Sequence, residues 1–182
     1  TLLKDPVFDY KKLKNKEHYR DEIFRWLQLL ADQGLGALHF PEDTGGKNDM
    51  GASCAVFETL GFHDLSLTVK FGVQYGLFGG AVHKLGSEYH HQHYLKDIAS
   101  LKLPGCFAMT ETGHGSNVRD IETTAVFDPF TDEIVIHSPS ESSRKDYIGN
   151  AAAHGRMAVV FAQLIVENVN HGVHAVLVPI RD

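Results

Sequence analysis

The sequence predicts an α+β chain, with an amino-terminal helical domain over residues 1–103 followed by a mainly antiparallel, β-barrel-like domain over residues 104–182. Up to about position 100 the apolar residues recur at helical spacing, whereas beyond Pro104 they fall in short β-branched or aromatic runs. The two patterns are segregated rather than alternating, which argues against a βαβ dinucleotide fold. At 182 residues, 43% of them hydrophobic, the chain is long enough to bury a core.

Each element has its own justification. Tyr19, Ile23, Trp26, Leu27 and Leu30 stand at helical spacing among charged residues, and Gly34 follows as a C-terminal cap. In Phe40-Pro41-Glu42-Asp43-Thr44-Gly45-Gly46 the proline fixes one dihedral and the paired glycines permit positive φ, so the chain turns there. Residues 52–60 read as a second helix ending at Gly61, and residues 65–85 as a third carrying Gly72, Gly76, Gly79 and Gly80. Each interior glycine costs a helix about 1 kcal/mol relative to alanine, so close packing on that backbone is expected. Ser87 caps a fourth helix through residue 98 that buries Tyr94, Leu95 and Ile98. Strands are expected at 105–110, 122–127, 133–137, 157–164 and 173–180. Asp128-Pro129-Phe130-Thr131-Asp132 joins two of them as an antiparallel pair, and Asn170-His171-Gly172 offers another turn.

Composition removes several functions. Seventeen Lys and Arg against 23 Asp and Glu give a net charge of −6 without a basic stripe, so no nucleic-acid partner is expected. Cys54 and Cys106 lie far apart and outside any C-x-x-C spacing, against a disulfide framework or a cysteine zinc site; a reducing compartment fits. The longest apolar runs are far short of the ~20 residues of a membrane span. The amino end has neither an initiator Met nor signal-peptide zoning, and the carboxyl end follows a strand-like run, so the chain reads as part of a longer protein. His90, His91 and His93, with His83 upstream, have no carboxylate or cysteine at metal-ligand spacing, and read as a solvated surface; no metal is expected.

Gly79-Gly80 lacks the Gly-Lys-Ser/Thr ending of a phosphate loop and reads as helix packing. Gly113-His114-Gly115-Ser116-Asn117 differs, because it directly follows a strand and combines glycines, a hydroxyl and an amide in one turn. Freed backbone N–H groups of such a turn make an anion-binding concavity, although a plain loop satisfies the same pattern.

The longer string Gly105-Cys106-Phe107-Ala108-Met109-Thr110-Glu111-Thr112-Gly113-His114-Gly115-Ser116-Asn117 resembles the flavin-binding signature of the acyl-CoA dehydrogenase and acyl-CoA oxidase superfamily. Phe40 to Gly46 resembles the family's Pro-Glu-x-x-Gly-Gly loop, and Gly86-Ser87-Glu88 with Tyr94-Leu95 its Gly-Thr/Ser-Glu helix start. Lys145-Asp146-Tyr147-Ile148-Gly149-Asn150-Ala151 resembles the Lys-x-Trp-Ile-Thr-Asn-Gly segment beside the flavin ring. Gly172-Val173-His174-Ala175 with Val178-Pro179-Ile180-Arg181 is similar to the final strand of the oxidase branch.

The resemblance implies a helical domain, a central β domain and a carboxyl-terminal four-helix domain absent from this chain, with FAD as cofactor and an acyl-CoA as substrate. It places Phe107, Met109 and Thr110 along the flavin, with the Thr110 hydroxyl and N–H at the pyrimidine edge where negative charge accumulates. Taken alone, Thr110 reads as an ordinary strand threonine. Gly115 and Ser116 are implied to approach the pyrophosphate or the thioester ligand's phosphates, Ser116 also serving the substrate. Tyr147, with Ile148 and Gly149, is implied to pack on the isoalloxazine, where many relatives carry tryptophan; as a plain residue it reads as a core or interface tyrosine. Gly149 replaces a hydroxyl residue of the dehydrogenases, as in the oxidase branch, and is expected to open a path for dioxygen.

The implied reaction is α,β-desaturation of an acyl-CoA, with reoxidation by O₂ to H₂O₂. Its general base, a glutamate, is expected in the absent domain, so no catalytic residue is assigned and the fragment alone is expected to be inactive; Glu111 reads as a loop anchor. Chain-length preference is implied to depend partly on the third and fourth helices. The alternatives are an acyl-CoA dehydrogenase that passes electrons to an electron-transfer flavoprotein, in keeping with the absence of the oxidases' paired tryptophans from Ser142 to Tyr147, and a non-catalytic binding module on the same fold. A homodimer or homotetramer is implied, cytoplasmic in a bacterium or peroxisomal in a eukaryote.

Overall fold

The structure, a computed structural model, describes residues 2–10 and 15–181. The chain divides into two compact units, one ending at Pro104 and the other beginning at Gly105.

In the helical unit, α1 (Lys16–Asp32) starts at Asn15, whose side chain accepts the His18 N–H at 2.9 Å, and buries Ile23, Trp26, Leu27 and Leu30 on one face. The Trp26 indole N–H donates to the Val7 carbonyl at 2.8 Å, so the largest ring of this core leaves no orphan donor. Gly34 takes φ +68, as expected of a residue just past a helix end. Of the paired glycines in the following loop only Gly45 is left-handed, with φ +93, and Asn48 further on takes φ 52. Gly46 serves a different need, because a Cβ there would collide with the Phe40 carbonyl.

Asp49 caps α2 (Met50–Gly61), and Asp64 caps the next helix by accepting the Leu67 N–H at 2.7 Å. That helix, α3, runs without a break through Leu65–Phe71, Gly72–Gly79 and Gly80–Leu85, and its middle stretch is wound as a π-helix. The close approach expected on this helix backbone occurs at two of its four glycines. A Cβ on Gly79 would lie 2.5 Å from the Phe40 ring and one on Gly72 3.0 Å from the Phe57 ring, whereas Gly76 faces open space and Gly80 has ordinary room. The fourth helix, α4 (Glu88–His90, His91–Leu95 and Lys96–Ala99), follows Ser87, whose N–H donates to His90 Nδ1 at 3.1 Å. Leu95 and Ile98 are fully buried and Tyr94 half-buried.

The β unit is one five-stranded sheet of β1 (Gly105–Ala108), β2 (Thr124–Asp128), β3 (Glu133–His137), β4 (Met157–Val166) and β5 (Val169–Pro179), curled into a half-barrel. The long ladders, β4 with β5 and β2 with β3, are antiparallel; β1 and β2 pair with successive stretches of β4 in parallel. Asn170-His171-Gly172 is not the turn that its composition suggested. The β4–β5 turn is Glu167-Asn168, both left-handed (φ 50 and 62), which suits the twist of a hairpin. Gln163 pairs with Val173 and Ile165 with Asn170, so β5 carries one extra residue there, and Gly172 takes φ +83 beside it. Cys106, Ala108, Ala158 and Val160 form the buried centre of the sheet. No helix among the described residues is long and apolar enough to cross a membrane.

Candidate functional site

Two loops of the β unit are clasped together outside the sheet. Glu111 and Lys145 form an isolated antiparallel bridge. On one side of it the Asp146 N–H donates to the Thr110 carbonyl at 3.1 Å. On the other, the Thr112 and Gly113 N–H groups donate to the Arg144 and Ser142 carbonyls at 3.0 and 2.8 Å. Gly113 is required by this approach, since a Cβ there would lie 2.9 Å from the Ser142 Cβ. Gly115 is not: its Cβ position is open, and neither glycine is left-handed.

The expected cofactor residues are distributed along this clasp. Phe107 is half-buried in β1, its ring 4.8 Å from that of Phe161. Met109 and Thr110, also half-buried, continue past the strand end. The Thr110 carbonyl is used by Asp146, but its hydroxyl and its N–H have no partner among the described residues. Gly115 and Ser116 sit at the exposed tip, and the N–H groups of Gly115, Ser116 and Asn117 likewise have no acceptor among the described residues. Tyr147 is 90% exposed and held at φ +58, a left-handed conformation that costs a bulky residue about 1–2 kcal/mol. Ile148 packs on the sheet core, and Gly149 lies half-buried in the following turn. The clasp therefore brings residues 107–110 and 145–149 to one place and leaves the 115–117 tip beside solvent.

Electrostatics fix the arrangement. Glu111 is 1% exposed; its Oε2 accepts the Glu122 N–H at 2.8 Å, and its Oε1 accepts the Thr123 N–H at 2.9 Å and faces Lys145 Nζ at 3.1 Å. Burial pushes this carboxyl up, but the backbone donors, the Thr123 hydroxyl and Lys145 outweigh it and hold the group below the usual carboxylate range. Burial pushes the Lys145 ammonium down, against the pull of Glu111. Lys145 Nζ also donates to the Met109 carbonyl at 2.9 Å.

Glu111, His114 and Glu122 gather their ligand atoms within 4.8 Å of one another. Each is already engaged. His114 Nε2 lies 3.0 Å from Glu122 Oε1, the Ser142 and Ser140 hydroxyls donate to Glu122 at 2.7 and 2.8 Å, and Lys145 supplies the positive charge beside Glu111. The three side chains form one hydrogen-bonded anchor beneath the loop. Glu122 was not recognised from sequence, because a separation of eight residues from His114 matches no ligand motif.

The histidines of the helical unit are engaged locally. His93 stacks on Tyr89 with centroids 3.9 Å apart, and His90 takes the Ser87 N–H. His91 is half-buried rather than solvated, with Nε2 2.9 Å from the His83 carbonyl. His39 and His83 are among the residues that line an apolar groove of about 770 Å³, with Phe57, Val69 and Leu77.

Comparison with known proteins identifies the family. The family model described as "Acyl-CoA dehydrogenase, N-terminal domain" matches residues 7–102, more than half of the chain. Peroxisomal acyl-coenzyme A oxidase 2 of Arabidopsis thaliana is 50% identical over 134 residues, covering 70% of this chain and 19% of the relative. Peroxisomal acyl-coenzyme A oxidase 3 of the same plant is 48% identical over 166 residues, covering 91% and 24%. Among solved structures, acyl-CoA oxidase 1 of Yarrowia lipolytica superposes with a TM-score of 0.82 at 28% identity, over 98% of this chain and 25% of that one. Acyl-CoA oxidase 3 of that yeast gives 0.80 at 32% identity, over 100% and 25%. The chain thus spans about a fifth to a quarter of the length of these relatives. By sequence and by fold, it belongs to the acyl-CoA dehydrogenase and acyl-CoA oxidase superfamily.

Proposed function

We propose that this chain contributes the flavin-contacting loops of an FAD-dependent acyl-CoA oxidase, which desaturates an acyl-CoA between its α and β carbons and delivers the electrons to O₂ as H₂O₂. The carrying observation is that one clasp presents uncommitted donors at Thr110 together with an exposed, left-handed Tyr147 ring. That pairing fits the edge and the face of a planar, electron-accepting ring. FAD, when bound, supplies the hydride acceptor.

The chain's own residues then have distinct tasks. The Thr110 N–H and hydroxyl donate where negative charge develops, a contribution that fixed donors make without reorganising. Tyr147 offers an apolar face, with Phe107, Met109 and Ile148 behind the edge. The freed N–H groups of Gly115 to Asn117 and the Ser116 hydroxyl provide donors for phosphate oxygens of FAD or of the thioester ligand. Gly149 carries no side chain where the dehydrogenases place a hydroxyl residue, and on this reading that opens a path for dioxygen. The groove walled by Phe57, Val69 and Leu77 supports binding of an apolar acyl tail. Glu111 has both oxygens occupied and an ammonium against it, so it is an anchor and not the base; the base belongs to residues outside this chain. The peroxisomal oxidases among the relatives support a peroxisomal location in a eukaryote, and assembly as a dimer or tetramer is part of the same reading.

The test is a protein of the relatives' length carrying this sequence. It is expected to purify yellow, to bleach with an acyl-CoA in the absence of oxygen, and to recover its colour on admission of O₂ with formation of peroxide. Bleaching that O₂ fails to reverse would favour a dehydrogenase passing electrons to an electron-transfer flavoprotein. A protein that retains no flavin would favour a non-catalytic module.

A further inference from the structure

Lys145 stands 34 positions beyond Glu111 in the sequence, yet its ammonium sits 3.1 Å from the buried carboxylate and 2.9 Å from the Met109 carbonyl. The Met109 carbonyl and the Thr110 N–H belong to a single peptide unit, and that unit is planar and trans, so the two groups point to opposite sides of one rigid plate. Whatever holds the carbonyl aims the N–H. The other end of Thr110 is held as well, by the Asp146 N–H on its carbonyl. The ammonium has a second effect: a cation donating to a carbonyl polarises the amide and makes its N–H a stronger donor.

We propose that Lys145, pinned by Glu111, is a positioning residue that acts through the Met109–Thr110 peptide to aim the Thr110 N–H at the flavin edge and strengthen it as a donor. This rests on the flavin reading given above. Glu111 is the stator of the device, its oxygens fixed by the Glu122 and Thr123 N–H groups where the chain enters β2. Lys145 cannot swing away without leaving that carboxylate unpaired in the interior, which keeps the peptide plate in one orientation.

The experiment has two arms. In the first, without flavin, amide NMR of this chain compares wild type with Lys145→Met, Lys145→Arg and Glu111→Gln. The Thr110 amide proton is expected to move upfield in Lys145→Met and to return part of the way in Lys145→Arg, with β2–β3 resonances unchanged. In the second arm, the FAD-loaded protein carrying this sequence is titrated for flavin midpoint potential. Lys145→Met is expected to lose about tenfold in preference for reduced over oxidised flavin, equal to about 30 mV lower potential for a two-electron couple.

A merely structural role would lower thermal stability without moving the potential. If Lys145→Met does not fold, Lys145→Gln takes its place, since it also removes the positive charge, and Lys145→Arg remains the charge-retaining control. Variants that take up FAD with wild-type potential and an unmoved Thr110 amide would overturn the positioning role while leaving the flavin reading intact. A wild-type protein that takes up no FAD would overturn both.

Discussion

Asp64 in the helical unit and Glu111 in the β unit are both buried carboxylates, and they are satisfied by opposite means. Asp64 accepts from neutral donors: the Tyr19 hydroxyl at 2.6 Å, the Tyr10 hydroxyl at 3.0 Å and the Leu67 N–H at 2.7 Å. It caps α3 and ties that helix to α1. Glu111 accepts two backbone N–H groups and in addition faces a cation, which itself reaches a third backbone group at Met109. Neutral donors suffice where the fold needs only a joint. An ammonium is retained where the joint must also transmit charge to a neighbouring peptide.

The largest effect that would separate the two carboxylates is truncation of Glu111. Glu111→Leu leaves the Lys145 ammonium without its partner in the interior, and a loss of about 3–5 kcal/mol in urea unfolding is expected. Adding Lys145→Met should restore the part due to the unpaired charge, while the Glu122 and Thr123 N–H groups stay without their acceptor and keep a residual loss of about 1–3 kcal/mol. Asp64→Ala strands only neutral hydroxyls that can turn to water and a helix cap, so a loss of about 1–2 kcal/mol is expected. Equal losses at the two sites would break the comparison.

Packing sharpens it within the helical unit. Gly79→Ala drives a Cβ into Phe40 and should cost about 1–3 kcal/mol, whereas Gly76→Ala meets nothing and should gain about 0.4–1 kcal/mol. Acid provides a further contrast. Burial pushes Asp64 up, but the Tyr19 hydroxyl, the Leu67 N–H and the Tyr10 hydroxyl outweigh it, so both carboxyls are held below the usual range. A carboxyl depressed in the folded state contributes stability that is complete above its unfolded value and is lost as pH falls through the folded value. Urea midpoints of wild type should therefore fall below the ordinary carboxylate range, and Glu111→Leu/Lys145→Met should show a shallower fall. The smallest expected effect is at Tyr147. Replacing it by glycine removes about 1–2 kcal/mol of left-handed strain and adds about 0.5–1 kcal/mol of chain entropy, for a net gain of roughly 0.5 kcal/mol while flavin contact weakens.

Much of the fold was legible because local pattern and tertiary role coincide. The stripe of Ile23, Trp26, Leu27 and Leu30 is both the helical period and the buried face. Local pattern failed where one motif has two uses. Asn170-His171-Gly172 carries turn chemistry, but its glycine accommodates an extra residue inside β5, and Glu167-Asn168 makes the turn. The widened winding over Gly72–Gly79 was invisible, because apolar spacing does not separate it from an ordinary helix over so few turns. At the site, Thr110, Glu111 and Tyr147 could be marked one by one, but the Glu111–Lys145 bridge could not. Its partners lie on separate loops, and only the folded sheet brings them together.

Amide hydrogen exchange, with and without FAD, of a protein of the relatives' length carrying this sequence tests the central claim most directly. The account predicts slowed exchange over residues 107–117 and 145–150, with the β2–β3 hairpin unchanged. Flavin binding that leaves those two segments unprotected, or that protects only the helical unit, would contradict it.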